Sequence, residues 1–178
     1  MNITLEPFSQ EAMQHVYDIE YGRLADRTWM AFNGPYFRDP IPTWHEFQQK
    51  AYHLINSTHH RLIYFNHRIV GEVSAHWADG NLQHWLEIGI IIYQKSDWGK
   101  SIATSAIKIW ILDLFAQHDQ LPHIGLTTWS GNAGMVRVSK KAGFVHEGTI
   151  RQVRYWQGHY YDSIKYGILR TEIVSSRK

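Results

Sequence analysis

Leu86-Glu87-Ile88-Gly89-Ile90-Ile91-Ile92-Tyr93, followed by Gln94-Lys95-Ser96-Asp97-Trp98-Gly99-Lys100-Ser101-Ile102-Ala103-Thr104, is the stretch that decides the fold. The first part ends a long apolar run, Leu82 to Tyr93, that reads as a strand. Ser96-Asp97-Trp98-Gly99 breaks it. From Ser101 the apolar positions Ile102, Ala103, Ala106, Ile107, Trp110 and Leu114 recur at helical spacing to about Gln117. A strand that enters a helix through a Gly-containing turn leaves the first helix amides without intrahelical partners. Those amides and the helix dipole favour an anion, above all a phosphate. Gly99, Ser101 and Ala103 are small enough for the backbone to approach a pyrophosphate. Ser101 and Thr104 offer hydroxyls, and Lys100 adds charge.

Upstream, Ile3 to Pro7 reads as a first strand, and Ser9 caps a helix running to about Tyr21 with Met13, Val16, Tyr17 and Glu20 on one face. Asp26 to Pro42 mixes turn residues with Trp29, Phe32, Tyr36 and Phe37, an aromatic content that solvated linkers normally avoid. Thr43 caps a second helix to about Asn56. Arg61 to Phe65 and Arg68 to Trp77 form a hairpin about Asn66-His67, and Asp79-Gly80-Asn81 turns the chain into the long strand. Downstream, Ile124 to Trp129 is a strand, and a helix from about Ala133 to Ala142 stops at Gly143. Phe144 to Trp156 and Tyr160 to Ile173 close the chain as a hairpin about Gln157-Gly158. The expected order is strand, two helices, three strands, helix, strand, helix and two strands. That is a mixed α/β fold, with no repeat or linker to divide residues 1–178 into domains.

Composition narrows the function. Hydrophobic residues make up 44% and charged residues 19% of the 178 residues, as in an ordinary soluble enzyme. Eight Trp and ten Tyr suggest an aromatic-walled cavity. A net charge of +2 without a basic cluster argues against a nucleic-acid partner. Cysteine is absent, which excludes disulfides and thiol catalysis. No apolar run reaches membrane-spanning length, and Met1 to Glu6 lacks the basic-then-apolar plan of a signal peptide, so the expected location is the cytoplasm. The twelve His include no HExxH. Neither His59-His60 nor His45 with His53 has a further ligand at helical spacing, so no metal is expected.

Leu86-Glu87-Ile88-Gly89-Ile90 with Trp98-Gly99-Lys100-Ser101-Ile102-Ala103-Thr104 resembles the acetyl-CoA motif of the GNAT N-acetyltransferase superfamily. The branch of the ribosomal-protein N-acetyltransferases RimJ and RimL is the most similar. Asn132, Ser139-Lys140-Lys141-Ala142-Gly143-Phe144 and Glu147-Gly148 resemble its second motif, and Gly158 to Gly167 its closing strand. The resemblance implies a GNAT fold, with a mostly antiparallel central sheet of about seven strands flanked by about four helices. It also implies that acetyl-CoA is the acyl donor. The pyrophosphate would sit on Trp98, Gly99, Lys100, Ser101, Ile102, Ala103 and Thr104, with Asn132 also bonding the cofactor. Backbone groups of Ile91, Ile92 and Tyr93 would pair with the pantetheine arm and polarise the thioester carbonyl. Two residues depart from the pattern: Ser101 stands where the family usually has Gly, and Met135 where it commonly has Ser.

An amine must lose a proton before it attacks a thioester. At pH 7 roughly one lysine-like amine in a few thousand, and about a tenth of α-amines, are free. A general base therefore helps, and Glu87 matches a position that serves as base in some family members, with His84 a weaker candidate. Asn132 could equally be a plain helix cap. Tyr155 or Tyr160 could protonate the leaving thiolate, and the residues do not choose between them. An acceptor pocket would draw on Trp29, Phe32, Tyr36 and Tyr160, whose rings suit an amine. The expected activity is acetyl transfer to a protein N-terminal or small-molecule amine by direct attack in a ternary complex. The competing expectation is a catalytically silent acyl-CoA-binding sensor or assembly domain. An exposed C-terminal hairpin could supply a homodimer edge.

Overall fold

A computed structural model describes residues 2–175. Seven strands form one sheet in the order β1-β2-β3-β4-β5-β7-β6. They are β1 (Ile3–Pro7), β2 (His60–Phe65), β3 (Arg68–Trp77), β4 (Leu86–Ile92), β5 (His123–Trp129), β6 (Val145–Trp156) and β7 (His159–Leu169). The helices are α1 (Met13–Glu20), α2 (Trp44–Ala51), α3 (Ile102–Gln117), α4 (Ala133–Ala142) and α5 (Arg170–Ser175). β1 with β2, β2 with β3, β5 with β7 and β6 with β7 are antiparallel, and β4 with β5 is parallel. The expected α/β plan and strand number hold.

The chain divides into two compact units, residues 1–74 with 90–106, and residues 75–89 with 107–178. In the first, Phe8, Met13, Val16, Phe47, Ala51, Leu62, Ile69 and Tyr93 pack into one core cluster. Thr43 and Glu46 form a reciprocal capping box at the start of α2, satisfying two otherwise unpaired donors. In the second, Ile107, Trp110, Leu114, Ile124 and Leu126 are buried almost completely. Gly143 ends α4 with φ 101° and donates to Lys140, a left-handed cap that costs glycine little.

Five elements differ from the sequence reading. α1 starts at Met13 with Ala12 at its N-cap, and Ser9 accepts from the Ala12 amide in the turn before the helix instead of capping it. The long strand starts at Leu86 rather than Leu82, because Gly80–Leu82 is a 3-10 turn and Gln83 takes a positive φ of 55°. α2 stops at Ala51, and Tyr52–Leu54 continues as a 3-10 turn. Two further 3-10 turns, Arg27–Ala31 and Pro35–Phe37, occupy the aromatic loop. The last strand ends at Leu169, and α5 makes a fifth helix where strand was expected. Here the Arg170 guanidinium donates to the carbonyls of Phe115, Leu121 and His118, while Glu172 accepts from the Leu169 amide. Those bonds, invisible to periodicity, draw the chain out of the ladder.

Candidate active site

The turn before α3 lies in the first unit and has the geometry of an anion cradle. Gly99 has φ 77° and Ser101 φ 62°. A Cβ on Gly99 would meet nothing within 4 Å, so its glycine serves conformation rather than space. Ser101 sits at the N-cap position, its carbonyl accepting from Ser105 at 3.1 Å, in a left-handed conformation that non-glycine residues adopt at a cost. A glycine at position 101 would take this conformation without that cost.

Three anchors from distant sequence fix this turn. Asp97, 2% exposed, accepts from Arg68 Nη2 at 2.9 Å on both oxygens and from Lys100 Nζ at 3.1 Å. The Trp98 indole donates to the Ile92 carbonyl at 3.0 Å, and Asp26 accepts the Lys95 amide at 2.8 Å. Arg68 and Lys100 stay about half exposed, so two cations sharing one buried carboxylate flank the cradle with net positive charge. Sequence reasoning found Lys100 but missed Arg68 and Asp97. Ile102 is buried; Ala103 and Thr104 are partly exposed on the first turn of α3. Of the three residues at the end of β4 assigned to the pantetheine arm, Tyr93, just past the strand, uses its amide on Val70 at 3.0 Å. Strand alternation then turns the groups of Ile92 away from β3 and those of Ile91 toward it.

The aromatic loop is split in role. Phe32, 37% exposed, meets the Trp98 ring edge-on at 5.5 Å, which brings one proposed acceptor wall to the pyrophosphate turn. Tyr36 packs on Phe37. Trp29 is buried against Tyr21 at 5.9 Å and is part of the core.

The first unit also holds a buried acid–phenol cluster that the sequence did not reveal. Glu72 accepts from the Tyr93 hydroxyl at 2.8 Å, and His60 Nε2 stands 3.3 Å from the same oxygen. Burial alone would raise the Glu72 carboxyl, but His60 and Tyr93 overcome it and hold it below the usual range. Glu20 is 3% exposed. Burial, then the charge of Glu72, pushes it up to about 9, against an opposing hydrogen bond with Tyr21. Burial and the same carboxylates raise the Tyr93 phenol well above its ordinary value.

In the second unit Glu87, 6% exposed, is held on both oxygens: Oε1 by Lys165 Nζ at 2.9 Å and Oε2 by the Thr127 hydroxyl at 2.6 Å. Lys165 also reaches Thr127 and lies 5.5 Å above the Trp85 ring. Neither Lys165 nor Thr127 was singled out from sequence. A carboxylate on a strand announces itself, but its partners one and two strands away in the sheet do not. Asn132 caps α4, its side-chain oxygen accepting the Met135 amide at 2.9 Å. Tyr155 and Tyr160 pack at 4.9 Å on the exposed end of the β6–β7 hairpin. His84 is exposed, and its amide donates to Asp79. Among the described residues no group of three His, Asp or Glu could hold a metal ion, and no helix is long and apolar enough to cross a membrane.

Residues 2–145 match the acetyltransferase (GNAT) domain model. The SPbeta prophage-derived uncharacterized N-acetyltransferase YokL of Bacillus subtilis (strain 168) is 29% identical over 80 residues, 45% of this chain and 42% of that protein. YdaF of the same organism, whose name places it among candidate ribosomal N-acetyltransferases, is 27% identical over 94% of this chain and 90% of its own length. Among solved structures, the spermidine N-acetyltransferase of Vibrio cholerae in complex with CoA and spermine superposes with TM-score 0.76 at 21% identity, covering 97% and 98% of the two chains. The aminoglycoside acetyltransferase AAC(6')-Ib with ribostamycin and coenzyme A gives TM-score 0.76 at 16% identity, covering 100% and 99%. The family model spans most of the sequence, and the chain belongs to the GNAT family of acetyltransferases.

Proposed function

We propose that this protein transfers the acetyl group of acetyl-CoA to a primary amine by direct attack in a ternary complex. The cradle carries the reading: two positive-φ positions, Gly99 and Ser101 on either side of Lys100, open α3 beside Arg68 and Lys100, a setting matched to a pyrophosphate. The pantetheine arm would follow β4 along Ile91, Ile92 and Tyr93. Asn132, at the start of α4, would also bond the cofactor. The β3, β4 and α3 segments each pass from one unit to the other, so the reading takes residues 1–178 as one catalytic domain.

The acceptor amine gives a proton to Glu87, directly or through water. Its nitrogen then attacks the thioester carbon; the C–S bond breaks, the thiolate leaves, and the nitrogen's surplus proton neutralises it. Tyr155 or Tyr160 would serve as the acid for that last transfer. The acceptor is a protein N-terminus, as the name of YdaF suggests, or a small amine, as with the spermine- and aminoglycoside-binding neighbours. Phe32 and Tyr36 would line its path, and the expected setting is the cytoplasm.

The test is thiol release from acetyl-CoA with spermidine, kanamycin, free amino acids and ribosomal-protein N-terminal peptides. Turnover with one class names the acceptor. Tight CoA binding with no turnover for any of them would replace the enzyme by the silent acyl-CoA sensor.

A further inference from the structure

Glu87 poses a problem that the proposed reaction leaves open. A base that takes a proton in every cycle must return it to water, yet Glu87 is 6% exposed and both of its oxygens are already engaged by Lys165 and Thr127. The neighbourhood of Gly125, which pairs with Glu87 across β4 and β5, offers a way out. Trp85 Nε1, Glu87 Cγ and His123 Cε1 stand 3.0, 3.2 and 3.4 Å from the point that a Cβ on Gly125 would occupy. The three groups therefore ring one bare spot on the sheet. His123 is the proton-accepting group of that ring after Glu87, and its side chain is 23% exposed, a link between the carboxylate and solvent.

His123 is also held by a partner. Its Nε2 lies 2.9 and 3.1 Å from the two oxygens of Glu147 on β6. The pair lies flat across β7 at Gly167, where a Cβ would come within 2.2 Å of both His123 Nε2 and Glu147 Oε1. Two glycines, directly paired across β5 and β7, thus clear the surface on which the imidazole rests. A neutral ring facing a carboxylate through Nε2 must carry its hydrogen there, which leaves the Nδ1 lone pair to accept a proton. The charged groups about it are Glu147, Glu87 and Lys165. Arg170, next along from β7, is committed to backbone carbonyls.

We propose that His123 is the exit station for the acceptor's proton and that Glu147 is its positioning residue. The inference rests on the amine acetylation proposed above. The amine N–H breaks as the Glu87 O–H forms. That O–H then breaks as the His123 Nδ1–H forms through an intervening water, with Glu147 facing the resulting imidazolium. Nδ1 releases the proton to buffer, and the cycle resets with no net change in either residue.

The experiment has two arms. Nitrogen NMR of the whole protein reads the His123 tautomer with no acceptor present: Nε2–H with a bare Nδ1 is expected, and the opposite tautomer overturns the proposal. Turnover is then measured for His123→Ala, His123→Gln and Glu147→Gln with the fastest of spermidine, kanamycin and a ribosomal-protein N-terminal peptide. Both His123 variants should lose about tenfold or more in dilute buffer, with unchanged KM for acetyl-CoA, and added imidazole should restore His123→Ala. Glu147→Gln should lose less and shift the pH profile. Normal turnover in the His123 variants, or a loss that imidazole does not rescue, overturns the relay. Absence of turnover in the unaltered protein would instead defeat the acetylation reading, with the tautomer still deciding whether Glu147 positions His123.

Discussion

Replacing Glu20 by Gln tests the buried acid–phenol cluster, because it removes a titrating proton while keeping the side chain's shape. The folded carboxyl is raised from 4.5 to about 9. Between those values the folded protein holds the proton and the unfolded chain has released it, so folding grows less favourable as pH rises. The contribution is fully present below the unfolded value and lost by about pH 9, where both states are ionised. Each pH unit inside the window costs about 1.4 kcal/mol, so the penalty should grow by about 3 kcal/mol between about pH 5 and pH 7.5. The group is 3% exposed, so solvent screening does little to reduce this. Against the roughly 5–15 kcal/mol that holds a domain folded, it is a large effect. Glu72 has the opposite sign: its lowered carboxyl adds stability that is lost at acid pH, below the Glu20 window. Urea unfolding of both proteins across the range isolates Glu20 and the groups it touches, since every group that does not interact with it cancels in the difference. Glu20→Gln should match the unaltered protein near pH 4 and exceed it increasingly toward pH 8. Parallel curves across that range would refute the buried neutral acid.

Four more substitutions probe the turn before α3 and the Glu87 carboxylate. Ser101→Gly should raise the unfolding free energy by about 0.5–1 kcal/mol, the left-handed cost of about 1–2 kcal/mol less glycine's extra chain entropy. Ser101→Asp should weaken CoA binding by repulsion, and unchanged affinity in calorimetry would move the pyrophosphate elsewhere. Asp97→Asn should cost about 1–3 kcal/mol in denaturant unfolding, because it removes two charge-assisted hydrogen bonds from a buried acceptor; a loss within error would mean the turn holds without them. If Glu87 is the base, Glu87→Gln should cut turnover most at the acid end of the pH profile and leave CoA affinity nearly intact. An unaltered profile would remove it from the mechanism.

The order of elements along the chain and the position of the turn before α3 were legible because their signals are local. Period-two runs, Gly99 and the Gly143 stop act within a few residues of themselves. Asn66-His67 and Gln157-Gly158 both turn with positive φ at each centre, as their hairpins require. What stayed hidden depends on partners brought in by tertiary structure. Glu20 sat on the expected apolar helix face, yet nothing nearby in sequence says that Glu72, fifty-two positions later, shares its burial. Trp29 has the composition of a pocket wall, but Tyr21 on the preceding helix draws it into the core. α5 escaped for the same reason, as the Arg170 carbonyl contacts span more than forty residues.

The Ser101 departure gains a different meaning from this distinction. In isolation, a serine in left-handed backbone should relax toward an ordinary conformation and close the cradle, since that conformation costs it about 1–2 kcal/mol. Three bonds from outside the turn oppose the relaxation: Asp26 to the Lys95 amide, Arg68 to Asp97, and Trp98 to the Ile92 carbonyl. Each joins the turn to a different segment, so the backbone cannot slip without breaking at least one. A charge-assisted bond of the Arg68–Asp97 kind is worth about 1.5–3 kcal/mol, enough by itself to outweigh the serine's preference. The cradle is therefore imposed by its surroundings more than by its own sequence, and losing an anchor should cost more when Ser101 is present than when Gly stands there. A double-mutant cycle between Asp97→Asn and Ser101→Gly measures that coupling in unfolding free energy. Simple additivity would return the conformation of the turn to local sequence alone.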